Sequence, residues 1–379
     1  MNLFITTILL IYGAATAALT AALFGRMKAG TNRASGAGVV DGPPGVSVVI
    51  PFRNEERNIV PLLESLAKQS YGGETEVILV NDRSDDNGVN AVKEFLRHND
   101  NTNITIKIID LEPPDEMPLT SKQRALDLGV SRSSHPLIAF TDADMLLAPE
   151  WIESLAGSQL STGAALVFGH TSVIDDKKSL FTLFEAYQLE LLFSFAHAFA
   201  GLNLTGSCMG NNILVTKEAY RQCGGQRGVG RAIVEDRALL KLMRRKGFKT
   251  CSAEPFTVTA RTYPSRTKRQ FFNQAMRWAR GGLRPGGGLF AAGLLLLTQN
   301  VIFLLSVTGI MPWAITVQSV ANFLLTWIFL SISFHKNGSP APKLLFPAYY
   351  VFMMAETVIF GLALILRPKI DWKGRKFHN

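Results

Sequence analysis

Charge is scarce in this chain. Only 18% of its 379 residues are Asp, Glu, Lys or Arg, against 47% hydrophobic residues, a balance that argues against a purely soluble protein. Charge is missing altogether from Leu3 to Phe24, from Leu289 to Met311 and from Trp313 to Phe334. Each of these runs is long enough to cross roughly 30 Å of hydrocarbon as a helix. A fourth run, Leu344 to Leu366, is interrupted by Glu356. A carboxylate there is costly unless it is neutral or paired inside a bundle, and Gln299 or Asn300 are the expected partners. Cysteine is also rare. Cys208, Cys223 and Cys251 are odd in number, widely spaced and form no CxxC, which excludes a disulfide framework and a zinc site and suits a reducing cytoplasm. No basic residue precedes the first apolar run, whereas Arg26, Lys28 and Arg33 follow it. Its alanines imitate a cleavage site, but these flanks favour a retained anchor with the globular part cytoplasmic.

What remains, about Gly45 to Arg284, has ordinary globular composition and follows a Gly- and Ala-rich linker over 25–44. The runs "VSVVIP" (46–51), "EVILVND" (76–82), "ITIKIID" (104–110), "LIAFTD" (137–142) and "ALVFGH" (165–170) read as strands. Helix-compatible stretches such as Glu55 to Gln69 and Ser121 to Ser131 lie between them. Continuous apolar strands alternating with helices predict an α/β domain with a parallel sheet covered on both faces. Such sheets bind ligands beyond the carboxyl ends of their strands. Three of those ends, "PFRNEERN", "VNDRSDDN" and "FTDADM", collect acidic and polar residues. Turns and helix caps would explain any one of them. Their recurrence at one edge points to a site.

Asp142 and Asp144 are alternate carboxylates on a segment leaving a strand. That spacing suits Mg2+ or Mn2+, held by few protein ligands and completed by substrate phosphates. Alone, the DxD pattern is weak; its context gives it weight. "PFRNE" (51–55), "VNDRSDD" (80–86), "SKQRALDLG" with Lys122, "DAD" (142–144), "VED" (234–236) and "QAMRW" (274–278) occur in order. Together they resemble the motif set of membrane-bound, inverting family-2 glycosyltransferases of the QxxRW type, which have the GT-A (nucleotide-diphospho-sugar transferase) fold. The tail sequence "DWKGR" is similar to tails of lipid glucosyltransferases of this kind.

The resemblance implies roles residue by residue. Asp82 would contact the uracil or ribose of a UDP-sugar donor, with Pro51, Arg53 and Glu55 as the adjoining pocket wall and Lys122 also on the donor. Asp142 and Asp144 would hold the metal on the diphosphate. Asp236 would be the general base, and Gln274, Arg277 and Trp278 would close over diphosphate and acceptor. The chemistry agrees with the residue types, since charge that develops on a leaving diphosphate calls for a cation and an arginine, and an inverting displacement needs one base. "VEDRALL" by itself would read as a solvated helix start with acids at its positive end. "QAMRWARGG" by itself would read as an interfacial anchor. "GSCMGNN" (206–212) resembles the loop lining the acceptor side. The Gly-rich stretch 224–236 reads as a mobile loop whose Arg227 or Arg231 reaches phosphate.

The expected organisation is a transmembrane anchor over 1–24, the linker, a cytoplasmic catalytic domain over 45–266, an amphipathic interface helix over 267–288, about three transmembrane helices over 289–366 and a basic tail over 367–379. The segment 181–204 is very apolar yet holds Glu185, Glu190 and His197. It reads as a buried helix or, by a small margin, a membrane-surface helix at an acceptor entrance, with His197 as a packed residue. Three C-terminal crossings would place the tail outside with five Lys or Arg against one Asp, contrary to the positive-inside rule. The functional expectation is transfer of a hexose, glucose first, from a UDP-sugar to a hydroxyl of a carotenoid, other terpenoid or ceramide-like lipid at the inner membrane, with no nucleic-acid partner. A processive polysaccharide synthase is the alternative, and it usually needs more crossings. A transporter or scaffold would leave the acidic strand ends without a purpose.

Overall fold

The computed structural model describes residues 2–33, 42–98, 104–113, 119–174, 179–204, 206–253, 258–282, 288–337, 345–366, 370–372 and 375–377. The chain divides into two compact units, one of Met27–Ile174 with Ser207–Tyr263, the other of Met1–Arg26, Asp175–Gly206 and Pro264–Asn379. The first helix, α1 (Asn2–Arg33), runs on into the stretch read as a linker, whose first residues include no proline to stop a helix. Residues 34–41 of that linker lie outside the described residues.

The first unit is α/β. Along the chain it contains β1 (Val46–Phe52), α2 (Ile59–Ala67), β2 (Thr75–Asn81), α3 (Gly88–His98), β3 (Ile104–Asp110), α4 (Ser121–Ser131), β4 (Leu137–Phe140), β5 (Met145–Leu147), α5 (Trp151–Thr162), β6 (Leu166–Phe168) and β7 (His170–Val173). After the excursion into the other unit come β8 (Ile213–Thr216), α7 (Lys217–Gln222), α8 (Gly225–Val229), α9 (Glu235–Arg245), β9 (Thr250–Ser252) and β10 (Val258–Thr262). The main sheet has the order β3-β2-β1-β4-β8-β6-β9. It is parallel across β3, β2, β1 and β4, as expected. Beyond β4 the expectation of a parallel sheet is corrected, because β8 runs antiparallel to both β4 and β6. A second sheet of β5, β10 and β7 adjoins the DxD segment.

The central strands β1 and β2 are buried along nearly their whole length, which is why they read as unbroken apolar runs. At the edge, β3 alternates: Ile104, Ile106 and Ile108 pack on the core while Thr105 and Lys107 face outward. Ile59, Leu62, Leu63 and Leu66 of α2 recur at helical spacing and bury one face in that core. Buried Glu76 on β2 is reached by Ser47 Oγ at 2.6 Å, Lys107 Nζ at 2.7 Å and Ser134 Oγ at 3.2 Å, so one carboxylate ties three neighbouring segments together.

The second unit is helical. Besides α1 it contains α6 (Leu180–Gly201), α10 (Lys268–Gly282), α11 (Gly288–Val307), α12 (Trp313–Asn337), α13 (Phe346–Leu366) and a hairpin of β11 (Ile370–Trp372) and β12 (Arg375–Phe377). Among the described residues, Asn2–Gly25 and Trp313–Ile332 are long and apolar enough to cross a bilayer, and Gly293–Val307 is a shorter apolar stretch. Polar side chains link these helices. Asn322 Nδ2 donates to the Leu9 carbonyl at 2.9 Å and to Gln299 Oε1 at 3.1 Å, and Gln299 Nε2 donates to Ser319 Oγ at 3.2 Å. Tyr350 OH donates to Asn300 Oδ1 at 3.1 Å, and Tyr12 OH lies 2.9 Å from Thr326 Oγ1.

Glu356 is paired as expected, but with a different partner. Gln188 Nε2 on α6 donates to its Oε1 at 2.8 Å, while Gln299 and Asn300 serve the bonds just described. The reason is that α6, although distant in sequence, packs on α12 and α13. The segment Asp175–Gly206 therefore belongs to the helical unit, inside the range 45–266 read as catalytic domain. Most of α6 is buried, including Tyr187, Phe193 and Ser194, which favours the packed helix over the membrane-surface helix. His197 is buried beside the Phe193 ring.

Candidate active site

The carboxyl edge of the parallel strands gathers the first group of residues. Phe52 pairs with Asn81 where β1 and β2 end side by side, so the loops that follow meet. Asp82 is buried, its amide donates to the Phe52 carbonyl at 2.8 Å, and its Oδ1 accepts from Arg83 Nη2 at 3.0 Å. Asn54 and Arg83 both take φ of 54°, a left-handed turn in each loop. Those turns bring Asn54 Oδ1 to the Asp85 amide at 2.8 Å and the Asn54 amide to Ser84 Oγ at 3.1 Å. Arg53 lies 3.6 Å from Asp85, and Glu55 is buried and accepts from Asn58 Nδ2 at 2.6 Å. Pro51, Arg53, Glu55 and Asp82 are thus brought together.

The second group centres on Lys122. A capping box, in which Thr120 Oγ1 accepts from the Gln123 amide and Gln123 Oε1 accepts from the Thr120 amide, starts α4 at this edge. It sets Lys122 in the first turn. Lys122 Nζ lies 2.7 Å from Asp142 Oδ1 and 3.0 Å from Glu235 Oε1, bridging the DxD segment to the VED segment. Asp142 and Asp144 follow β4, which pairs with β1, so they share the edge with Pro51 and Asp82.

Asp236 stands in the first turn of α9, half-buried. Its Oδ2 accepts from the Gly210 amide and its Oδ1 from the Arg237 amide at 2.6 Å. Burial and the adjacent Glu235 carboxylate raise its pKa to about 6, against the opposing pull of Lys122 and the two amides. A carboxylate so tuned suits proton abstraction near neutral pH. A Cβ at Gly210 would lie 3.2 Å from Asp236 Oδ2, a tight contact that a side chain there would make with the carboxylate. The same loop is clamped at Asn212, whose Oδ1 accepts from Trp151 Nε1 at 2.9 Å and whose Nδ2 donates to the His170 carbonyl at 3.0 Å.

Part of the Gly-rich stretch 224–236, Gly225–Val229, is a short helix. It folds into α8 because Gly224, Gly225 and Gly230 take positive φ around it, and because a Cβ at Gly228 would meet the Cys223 carbonyl at 1.9 Å. Two residues of α4 hold it. Asp127 Oδ1 accepts from the Gln226 amide at 2.8 Å and from Tyr220 OH at 2.6 Å. Buried Gln123 donates to the Gly230 carbonyl at 2.7 Å and accepts from the Ala232 amide at 3.2 Å. Arg227 and Arg231 are exposed.

Sequence reasoning missed Glu235, Gln123 and Asp127 as parts of the site. Glu235 was visible as the neighbour of Asp236, and Gln123 as the closing residue of a Thr-x-x-Gln capping pattern; Asp127 had no comparable signal. Gln274, Arg277 and Trp278 lie on α10 in the helical unit, at positions that share one helix face. The three cysteines are buried and free, and burial pushes the Cys208 thiol up, so none is a ready nucleophile. Among the described residues no group of three or more His, Cys, Asp or Glu forms a ready metal cage.

Comparison with known proteins bears on the family and the fold. A ceramide glucosyltransferase of Caenorhabditis elegans is 22% identical over 347 residues, covering 88% of this chain and 71% of that protein. The 4,4'-diaponeurosporenoate glycosyltransferase of Staphylococcus aureus is 22% identical over 352 residues, 88% of each chain. A solved mannosyltransferase from Pyrobaculum calidifontis, in complex with GDP-Man and Mn2+, superposes with a TM-score of 0.51 at 16% identity, over 93% of this chain and 98% of that one. The fold is therefore that of the GT-A-like glycosyltransferases. The model of glycosyl transferase family 21 matches residues 6–379, and the chain belongs to that family.

Proposed function

We propose that this glycosyltransferase moves a hexose, with glucose the first sugar to test, from a UDP-sugar to a hydroxyl of a membrane lipid of the ceramide or carotenoid type, with inversion at the anomeric carbon. The observation that carries the reading is the cluster in which Lys122 bridges Asp142 and Glu235 beside Asp236, whose pKa is raised. The names of the C. elegans and S. aureus relatives support a lipid acceptor. The long apolar helices and the basic flank after the first of them support membrane anchoring with the catalytic unit cytoplasmic.

Asp82 and the wall of Pro51, Arg53 and Glu55 bind the nucleotide. Lys122 supplies positive charge for the diphosphate, and Arg277 with Gln274 and Trp278 is assigned to closing over it. Asp236 accepts the proton of the acceptor hydroxyl as the new C–O bond forms at the anomeric carbon and the bond to the diphosphate oxygen breaks. The leaving UDP carries away the electron pair.

A divalent cation fits this edge. Asp142 already draws a cationic ammonium to 2.7 Å, and two oxygen-donor side chains without a complete cage match Mg2+ or Mn2+ that finishes its shell on phosphates. Asp142 and Asp144 would hold it, and bound there it would neutralise charge on the leaving diphosphate.

The test is incubation of the purified protein in lipid with labelled UDP- and GDP-sugars, followed by organic extraction. Label from a UDP-sugar in the organic phase supports the reading. Label in an ethanol-insoluble polymer would instead make the chain a polysaccharide synthase.

A further inference from the structure

Within the helical unit, α6, α10 and α13 leave a cleft of about 500 Å³. Phe181, Phe184, Phe271, Phe272 and Phe352 form most of its wall, with Lys268 and Glu356 as its ionisable groups. The aromatic rings brace one another: Phe181 meets Phe271 edge-on at 5.0 Å between ring centroids, and Phe184 lies 4.8 Å from Phe352. The Glu356 carboxyl group accepts a hydrogen bond from Gln188, which ties α13 to α6 beside the cleft.

We propose that this cleft is the binding site for the hydrocarbon chain of the acceptor lipid, an inference that rests on the function proposed above. Helices packed in a membrane normally close the space between them, so an open aromatic-walled cleft of this size has the dimensions of a ligand site rather than of a packing defect. Its lining suits an extended apolar body, since phenylalanine rings dominate it and the Glu356 carboxyl is hydrogen-bonded within the wall, while the ammonium of Lys268 is exposed. Its position is linked to the transfer machinery. Phe271 lies on the same face of α10 as Gln274 and Trp278, at helical spacings of three and seven residues. A chain held against Phe271 therefore runs beside the motif helix, which orients its hydroxyl-bearing end along that face.

The test uses the full-length protein in nanodiscs and two acceptors with the same hydroxylated head group, one with a long alkyl chain and one with a short chain. Ala355→Trp, which fills the cleft from α13, raises KM for the long-chain acceptor roughly tenfold, equivalent to about two lost methylene contacts. KM for the short-chain acceptor and for the donor stays within about twofold of the unsubstituted protein. Equal effects on both acceptors, or none on either, would overturn the cleft assignment while leaving the proposed function standing. Absence of label from both acceptors in the unsubstituted protein would overturn the function itself. Should the tryptophan disturb the helices, a long-chain acceptor with a terminal diazirine is crosslinked to the unsubstituted protein. Label on peptides of α6, α10 or α13 supports the site, and label found only elsewhere overturns it.

Discussion

Each acidic residue at the sheet edge has a different environment, and that difference assigns its work. Burial and the Glu235 carboxylate disfavour the charged form of Asp236, which suits it to take a proton. Because only the carboxylate accepts a proton, kcat/KM should fall with unit slope as pH drops below about 6. A pH profile at low donor concentration checks this. The same shift has a stability consequence of opposite sign. A folded-state pKa raised above the unfolded value contributes stability that is full below about pH 4 and is lost as pH rises through about 6. Asp236→Asn is therefore expected not to lower the melting temperature at pH 7.5, even while activity collapses. Asp144 differs, being assigned to metal charge rather than to packing. Asp144→Asn should leave the fold intact by circular dichroism and abolish transfer at any Mn2+ concentration tested, whereas recovery of full turnover would remove the metal role.

At the scale of elements, α4 organises the site. Its first turn presents Lys122, its second residue pair clamps the stretch that leads into Glu235 and Asp236, and its inner face packs under β1 and β2. Gln123→Leu keeps the volume but strands the Gly230 carbonyl and the Ala232 amide. Each buried group left without a partner costs about 1–3 kcal/mol, so a lower melting temperature and a reduced kcat are expected together. A fall in kcat with unchanged melting would mean that Gln123 touches substrate instead. The residues of α4 were legible, since its limits, Ser121 to Ser131, match the periodic stretch. Its partners were not, because Gln123 and Gly230 are far apart in sequence and nothing local records that they meet. The strands β1, β2 and β4 were legible because they are buried on both faces, and β3 because its isoleucines alternate with outward-facing residues. By contrast, the second sheet escaped notice, as "HTSV" and "VTART" lack an apolar rhythm, and the direction of β8 leaves no mark on composition.

For the whole molecule, the apolar runs announced the helices but not what joins them. Glu356 could be recognised as needing a partner, yet its partner comes from α6, a segment whose membership of the helical unit depends on packing. Gln299, Asn300 and Asn322 bond to other residues of that unit, which gives them a structural use. Asn322 reaches both α1 and α11. Asn322→Leu should cost roughly 0.6–2 kcal/mol, the range for an interhelical hydrogen bond in a membrane, read as a lower unfolding midpoint in detergent. An unchanged midpoint would mean the bundle does not depend on this link.

The central claim is that Asp236 is the base for sugar transfer, and single-turnover kinetics of Asp236→Asn at saturating UDP-sugar and Mn2+ test it most directly. The substitution keeps the side-chain shape and removes the basic oxygen. Turnover is expected to fall roughly 10²–10⁴-fold while UDP affinity measured by titration stays unchanged. Normal turnover, or a defect that vanishes once the donor saturates, would contradict the account.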